Sequence, residues 1–246
     1  MTNKYMYFIA NWKMYGDLKS LNTLDKVIKF SKSKAINKGR LIYCPPYTLI
    51  SSFLEKFRNC QIDIGGQNCH ESENYGPDTG FVNSHMLKDV GANYVIIGHS
   101  ENREKGEYDK LINQKIKSAL KAKLKVIFCI GETLTEKRRK KTRLILSKQI
   151  KAGLDKIKDK KNIFVAYEPV WAIGTGILPK SNDLFKTIEF IKSKFKDRSP
   201  KVLYGGSVNP QNIKNLKEIN NIDGFLIGGA SQNSKKFIDI VKKTYN

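Results

Sequence analysis

Short apolar runs rich in β-branched and aromatic residues recur along this chain, each followed by a longer stretch with helical period. The runs fall at 5–11, 40–44, 62–67, 94–98, 125–130, 163–168, 201–205 and 224–228. They are nearly continuous rather than alternating, as strands buried on both faces are. Between them, Leu184, Ile188, Ile191 and Phe195 step by four, three and four, which is one apolar helical stripe. Leu111, Ile112, Ile116, Ala119 and Leu120 form another, with lysines expected on the solvated face opposite. Eight runs at roughly 30-residue spacing predict eight βα units. Periodicity alone also fits a doubly wound open sheet, so the polar positions must separate the two.

Those positions collect after the strands. Asn11-Trp12-Lys13 follows the first, Gly98-His99-Ser100-Glu101 the fourth, Gly205-Gly206-Ser207 the seventh and Gly228-Gly229-Ala230 the eighth, while Glu168 closes the sixth. Scattered surface polarity would not gather at one end of five strands. A closed (β/α)8 barrel builds its chemistry at that rim, and the expected fold is therefore an α/β single-domain barrel spanning 1–246. Taken singly, each residue also has an ordinary reading: Lys13 as one solvated lysine among many, His99 as a core imidazole, the glycine pairs as turns. Two glycine pairs after strands seven and eight, however, suit a phosphate held by backbone N–H groups. Glu168 is the most specific feature. It ends a buried strand and is followed by a stiff segment (Pro169, Val170, Trp171) and then a small, permissive one (Ala172, Ile173, Gly174, Thr175, Gly176), the composition of a hinged lid.

Composition changes this picture little. No linker or low-complexity tract divides the 246 residues, and no run of eighteen apolar residues or leader-like segment precedes the first strand, which residues 1–5 enter directly. A soluble, cytoplasmic chain is expected. Cys44, Cys60, Cys69 and Cys129 lack metal-type spacing with the three histidines and read as reduced thiols. The net charge of +22 is spread over nearly every helical segment, with one cluster at Lys137-Arg138-Arg139-Lys140-Lys141. Without aromatic-interleaved basic platforms it reads as a lysine-rich solvated surface, with no nucleic-acid or membrane partner expected. Two rival functions stay open on the residues alone. Another phosphate-handling barrel enzyme, a sugar-phosphate isomerase or an aldolase, would keep the late glycines; a Schiff-base aldolase would need an inner-strand lysine, for which nothing is better placed than Lys13. A non-catalytic binding protein with a basic surface is the other.

Six words then narrow the field: Ala10-Asn11-Trp12-Lys13, Gly98-His99-Ser100-Glu101, Cys129-Ile130-Gly131-Glu132, the stretch 167–176, Tyr204-Gly205-Gly206-Ser207-Val208 and Gly228-Gly229-Ala230-Ser231. In identity and order they resemble the triosephosphate isomerase family over almost the full length. The resemblance implies interconversion of dihydroxyacetone phosphate and D-glyceraldehyde 3-phosphate, in glycolysis and gluconeogenesis, through an enediol(ate), with no cofactor and no metal. It implies Glu168 as the base, His99 as a neutral electrophile, Lys13 and Asn11 as catalytic and substrate-binding groups, and Glu101 as a support for Lys13. It also implies phosphate held by Gly174, Ser207, Gly228 and Gly229, and a lid made of Trp171, Ala172, Ile173, Gly174, Thr175 and Gly176. A homodimer follows, with the 68–81 loop reaching the partner and Thr79 approaching its active site. Three departures stand out. Phe81 occupies the place of a usual carboxylate and Asn102 that of a usual arginine, which reads as joint replacement of an intersubunit ion pair. Ile177-Leu178-Pro179 makes a bulkier, stiffer lid exit.

Overall fold

A computed structural model describes residues 4–33, 36, 38–195 and 199–246. Residues 1–3, expected to lead into the first strand, lie outside the described residues. Eight parallel strands follow one another around a closed barrel: β1 (Met6–Asn11), β2 (Gly39–Cys44), β3 (Ile62–Gly66), β4 (Tyr94–Ile97), β5 (Lys125–Ile130), β6 (Ile163–Tyr167), β7 (Lys201–Tyr204) and β8 (Gly224–Ile227). The seam closes through β1 and β8, with Tyr7 opposite Gly224 and Ala10 opposite Ile227. The open-sheet alternative is thereby excluded. The α-helices among the described residues are α1 (Asp25–Ser31), α2 (Ile50–Lys56), α3 (Ser84–Asp89), α4 (Ser100–Glu104), α5 (Asp109–Lys121), α6 (Leu134–Arg138), α7 (Thr142–Gly153), α8 (Ser181–Ser193), α9 (Ile213–Lys217) and α10 (Ser234–Tyr245).

Alternation along the strands produces two cores. Ile9, Ile42, Ile96, Ile127, Ala166 and Leu203 belong to one that fills the barrel. Phe8, Leu41, Val95, Val126, Val165 and Val202, one residue earlier along their strands, belong to the larger one beneath the helices. Burial on both faces is why the strands read as unbroken apolar runs.

The predicted strands lie within one residue of those observed, except that five are one residue shorter at the rim. Gln67, Gly98, Glu168, Gly205 and Gly228 fall just past β3, β4, β6, β7 and β8. Two of them still extend the ladder: the Glu168 N–H donates to the Ile130 carbonyl and the Gly205 N–H to that of Tyr167, both at 2.8 Å. The apolar stripe of α8 runs past the helix, since Phe195 is buried beyond its end. On α5 the expectation of a fully solvated lysine face is corrected. Lys115 is buried, its ammonium donating to the Asn68 amide oxygen and to the Glu107 carboxylate, which supplies the counter-charge a buried cation requires.

One ion-pair cluster ties the opposite end of the barrel together. Asp223, buried just before β8, pairs with Lys192 at 2.7 Å and Lys4 at 2.8 Å and accepts the Val202 N–H at 2.8 Å. Burial pushes its carboxyl pKa up, but the hydrogen bonds from Lys192, Lys4 and Val202 outweigh that and hold it below the ordinary value. Asp223→Ala is expected to cost about 3 kcal/mol in urea unfolding at neutral pH, because it strands a buried N–H and removes the anion between two cations. The folded-state pKa lies below the unfolded one. The contribution is therefore complete above the unfolded value of about 3.9 and disappears as pH falls through the lower folded value. Unfolding curves of the two proteins should converge on acidification; a gap that stays constant to low pH would contradict this.

Candidate active site

The rim residues converge on one cavity of about 300 Å³, lined by Asn11, Lys13, His99, Glu168, Ser207 and Gly228, with Gly174 and Gly229 also on its wall. All eight residues expected to act on substrate or phosphate are thus brought together. Of the rest, Ile173 lines the cavity, whereas Trp171 turns away, Ala172 is buried, and Thr175 and Gly176 are exposed. Glu101 stands on a second cavity of about 420 Å³ that shares Asn11, Lys13 and His99. Thr79 is exposed on the neighbouring loop and lines neither.

Each side chain is held from its own strand end. Lys13 adopts φ 55°, a left-handed conformation that costs a non-glycine residue about 1 kcal/mol. Its N–H donates to Asn11 Oδ1 at 3.1 Å, and its carbonyl accepts from Gln67 Nε2 at 2.8 Å. Its ammonium reaches Glu101 Oε1 at 2.5 Å. Burial raises the Glu101 pKa, but the hydrogen bond and positive charge of Lys13 outweigh that and keep it below the ordinary value.

His99 is buried where α4 begins. Its Nδ1 accepts the Glu101 N–H at 3.2 Å, so the lone pair sits there and the neutral ring carries its proton on Nε2. Nε2 lies 3.2 Å from Glu168 Oε1, without the alignment of a hydrogen bond. Glu168 is 2% exposed. Its Oε2 accepts a long 3.3 Å bond from the Ser100 N–H, while Oε1 is buried without a hydrogen-bond partner among the described residues. A carboxylate oxygen kept dry and unpaired beside a cavity is a base with its lone pairs available. Burial, then the Glu168 charge, push the neighbouring Cys129 thiol well above its usual range, so it stays protonated. All four cysteines are free thiols, as expected.

The lid hinge rests on groups to which the sequence reading assigned no role. Glu132 accepts from Trp171 Nε1 at 2.9 Å and from the Tyr167 hydroxyl, and its carbonyl accepts the Val170 N–H at 3.0 Å. Burial raises the Glu132 pKa, opposed by the Trp171 and Tyr167 hydrogen bonds. Lys137, from the basic cluster, places its ammonium 3.2 Å from the centre of the Trp171 ring. The Tyr204 hydroxyl, buried behind Gly206, has no partner, and Lys236 of α10 lines the main cavity. Glu132 and Tyr204 stood in quoted motifs and Lys137 in the basic cluster; Lys236 carried no local signal.

Two glycines make room for Glu168. A Cβ on Gly131 would overlap the Glu168 carbonyl, and one on Gly205 would lie 2.8 Å from Glu168 Cγ. Gly131→Ala, which meets backbone, is expected to cost about 3 kcal/mol in chemical unfolding. Gly205→Ala meets a movable side chain, so it should stay within about 1 kcal/mol of the parent yet displace the carboxylate, visible crystallographically. Equal stability losses would contradict that division.

The sequence model of the family described as triosephosphate isomerase matches residues 6–244. A triosephosphate isomerase from Thermodesulfovibrio yellowstonii is 41% identical over 96% of this chain and 98% of its own length. One from Dictyoglomus turgidum is 40% identical over 95% of this chain and 97% of its own. A crystal structure of triosephosphate isomerase from Bartonella henselae superposes with a TM-score of 0.88 at 35% identity, covering 98% of this chain and all of that one. With the barrel and its convergent rim residues already in place, the chain belongs to the triosephosphate isomerase family.

Proposed function

We propose that this cavity interconverts dihydroxyacetone phosphate and D-glyceraldehyde 3-phosphate by proton transfer between adjacent carbons, with Glu168 as the base. The observation that carries the reading is the unpaired, buried Glu168 Oε1, 3.2 Å from a histidine nitrogen that bears a proton. Glu168 takes a proton from the carbon beside the carbonyl and returns it to the neighbouring carbon. The C–H electron pair becomes the enediolate double bond as the carbonyl π pair moves onto its oxygen. That oxygen then takes the proton of the neighbouring hydroxyl, whose O–H pair forms the new carbonyl as the double bond becomes the new C–H bond. His99 Nε2–H donates to the oxygen where negative charge develops, and Asn11 and Lys13 add a donor and a positive charge beside it. The phosphate takes backbone N–H groups of Gly174, Ser207, Gly228 and Gly229. Those of Gly174 and Ser207 have no acceptor among the described residues, which leaves them free for an anion. Gly174 lies on the exposed lid tip, so closure joins phosphate binding to exclusion of water from Glu168.

We also propose that the working form is a cytoplasmic homodimer. No described helix is long and apolar enough to cross a membrane. Met14 is 94% exposed, and with Tyr47 and Phe81 it lines the second cavity, where Glu107 Oε2 is buried without a partner. Tyr75 of the 68–81 loop and Met86 of α3 continue this apolar surface beside Phe81. A contiguous exposed patch of this kind suits a second copy, with Thr79 carried towards the partner's cavity. Phe81 packs on the His70 ring at 4.9 Å and is still 62% exposed, so its outer face offers the partner apolar contact in place of an ion pair.

Two measurements test these readings. In an assay coupled to a dehydrogenase, the parent protein should isomerise D-glyceraldehyde 3-phosphate, and Glu168→Ala should lose about 10³-fold or more in kcat with the fold intact. Undiminished turnover in the variant would remove Glu168 as the base. Sedimentation should give a dimer at micromolar concentration, weaker at low ionic strength because each copy carries a formal +22. A stable monomer under all salt conditions would overturn the dimer.

A further inference from the structure

The catalytic cavity has a second cation on its wall, Lys236, at the end where the late glycines lie. In a chain with 45 lysines and arginines, a lysine at a cavity mouth needs more than its presence to signify. Three observations single this one out. First, it occupies the first turn of α10, where Lys235 and Lys236 stand and no acidic residue does. Cations at a helix start oppose the macrodipole, so the placement is unfavourable unless an anion comes near. Second, its side chain forms no ion pair among the described residues, although Asp239 follows one turn later. Third, its backbone is anchored. Its N–H is capped by Asn233 Oδ1 at 3.0 Å, and α10 is tied to the rim by Lys243, which donates to the Pro210 carbonyl at 2.9 Å beside that same wall.

Charge accounting gives Lys236 a task. Lys13 is compensated by Glu101 at 2.5 Å, and Glu168, as the base, contributes a negative charge of its own. Without Lys236, an incoming phosphate dianion would meet a cavity whose ionised groups sum to net negative. Resting on the proposed phosphate site, we infer that Lys236 is a specificity-determining residue, which offsets this charge and draws substrates bearing a phosphate dianion into the cavity. Its contribution is long-range attraction at the mouth, so it acts on capture rather than on the proton transfer.

Lys235 supplies an internal control. It shares the helix turn and the charge but does not line the cavity. Lys236→Glu and Lys235→Glu therefore change net charge and helix electrostatics equally. At an ionic strength of about 0.01 M, Lys236→Glu should lower kcat/KM for D-glyceraldehyde 3-phosphate about tenfold, shrinking to less than about twofold near 0.3 M. Lys235→Glu should change it less than about twofold, and Lys236→Arg should retain parental values. Turnover of D-glyceraldehyde, which lacks the phosphate, should be unchanged in all three. Calorimetric titration with inorganic phosphate at low salt should show the same tenfold weakening in Lys236→Glu. Equal losses in the two glutamate variants, a loss that extends to D-glyceraldehyde, or unaltered phosphate affinity would overturn the inference. A parent protein without isomerase activity whose phosphate affinity still depends on Lys236 would refute Glu168 as the base while leaving this role standing.

Discussion

Two backbone hydrogen bonds at the top of the barrel fix everything the site does. The Glu168 N–H donates to Ile130 of β5, and the Gly205 N–H donates to Tyr167 of β6. They carry the ladder one step past the strands, so the carboxylate leaves a backbone as rigid as the sheet itself. The neighbouring segments close in so tightly that a Cβ at residue 131 would overlap the Glu168 backbone and one at residue 205 would press on the Glu168 side chain. The lid begins at the next residue, Pro169, and is anchored at once through Val170 and Trp171 to Glu132. A fixed base and a movable cover thus adjoin within a few residues, and the boundary between them is set by where the ladder stops.

That boundary explains what could be read from the sequence and what could not. Glu168 was legible because an apolar run ends on a charge before a proline, which local chemistry alone marks as unusual. The eight strands were legible because burial on both faces removes their alternation, and the barrel because polar residues gather at one end of five of them. Glu132 was visible as part of a motif, yet its role depends on Trp171 reaching back to it through the fold, which no local pattern encodes. Lys115 was misread because a lysine on a helix is solvated by default; its burial depends on Asn68 and Glu107 arriving from separate segments. Lys236 was hidden by the lysine-rich composition around it. Patterns report how a residue relates to its neighbours in sequence, and these three owe their roles to neighbours in space.

Backbone strain separates chemistry from composition. The four non-glycine residues with positive φ among the described residues are Lys13, Lys123, Lys140 and Lys156. Lys123 and Lys140 follow α5 and α6, where the next N–H bonds back to Ala119 and Glu136, closing the helix ends as a glycine usually does. A lysine there suffers the left-handed conformation but gains from the negative helix terminus. Lys13 has no helix end to compensate it. Its conformation is held by Asn11, Gln67 and Glu101 instead, all polar groups of the rim. Strain that only the site's own groups relieve is strain the site uses, here to aim an ammonium into the cavity.

The same comparison gives the large positive charge a physical reading. A lysine-rich composition fills helix C-termini at little cost, because charge and macrodipole agree there, and Lys123 and Lys140 need no further account. At the start of α10 charge and macrodipole disagree, and composition alone would leave Lys235 and Lys236 equally unfavourable. Both are exposed, but they differ in what they adjoin: Lys236 also lines the cavity, whose low-dielectric walls focus its field inward, and Lys235 does not. The field of Lys236 is therefore the one that an anion entering the cavity meets, and its unfavourable placement at the helix start is offset once that anion binds. Of the many lysines that composition placed on this surface, those whose unfavourable position is relieved only by substrate are the ones whose charge belongs to function.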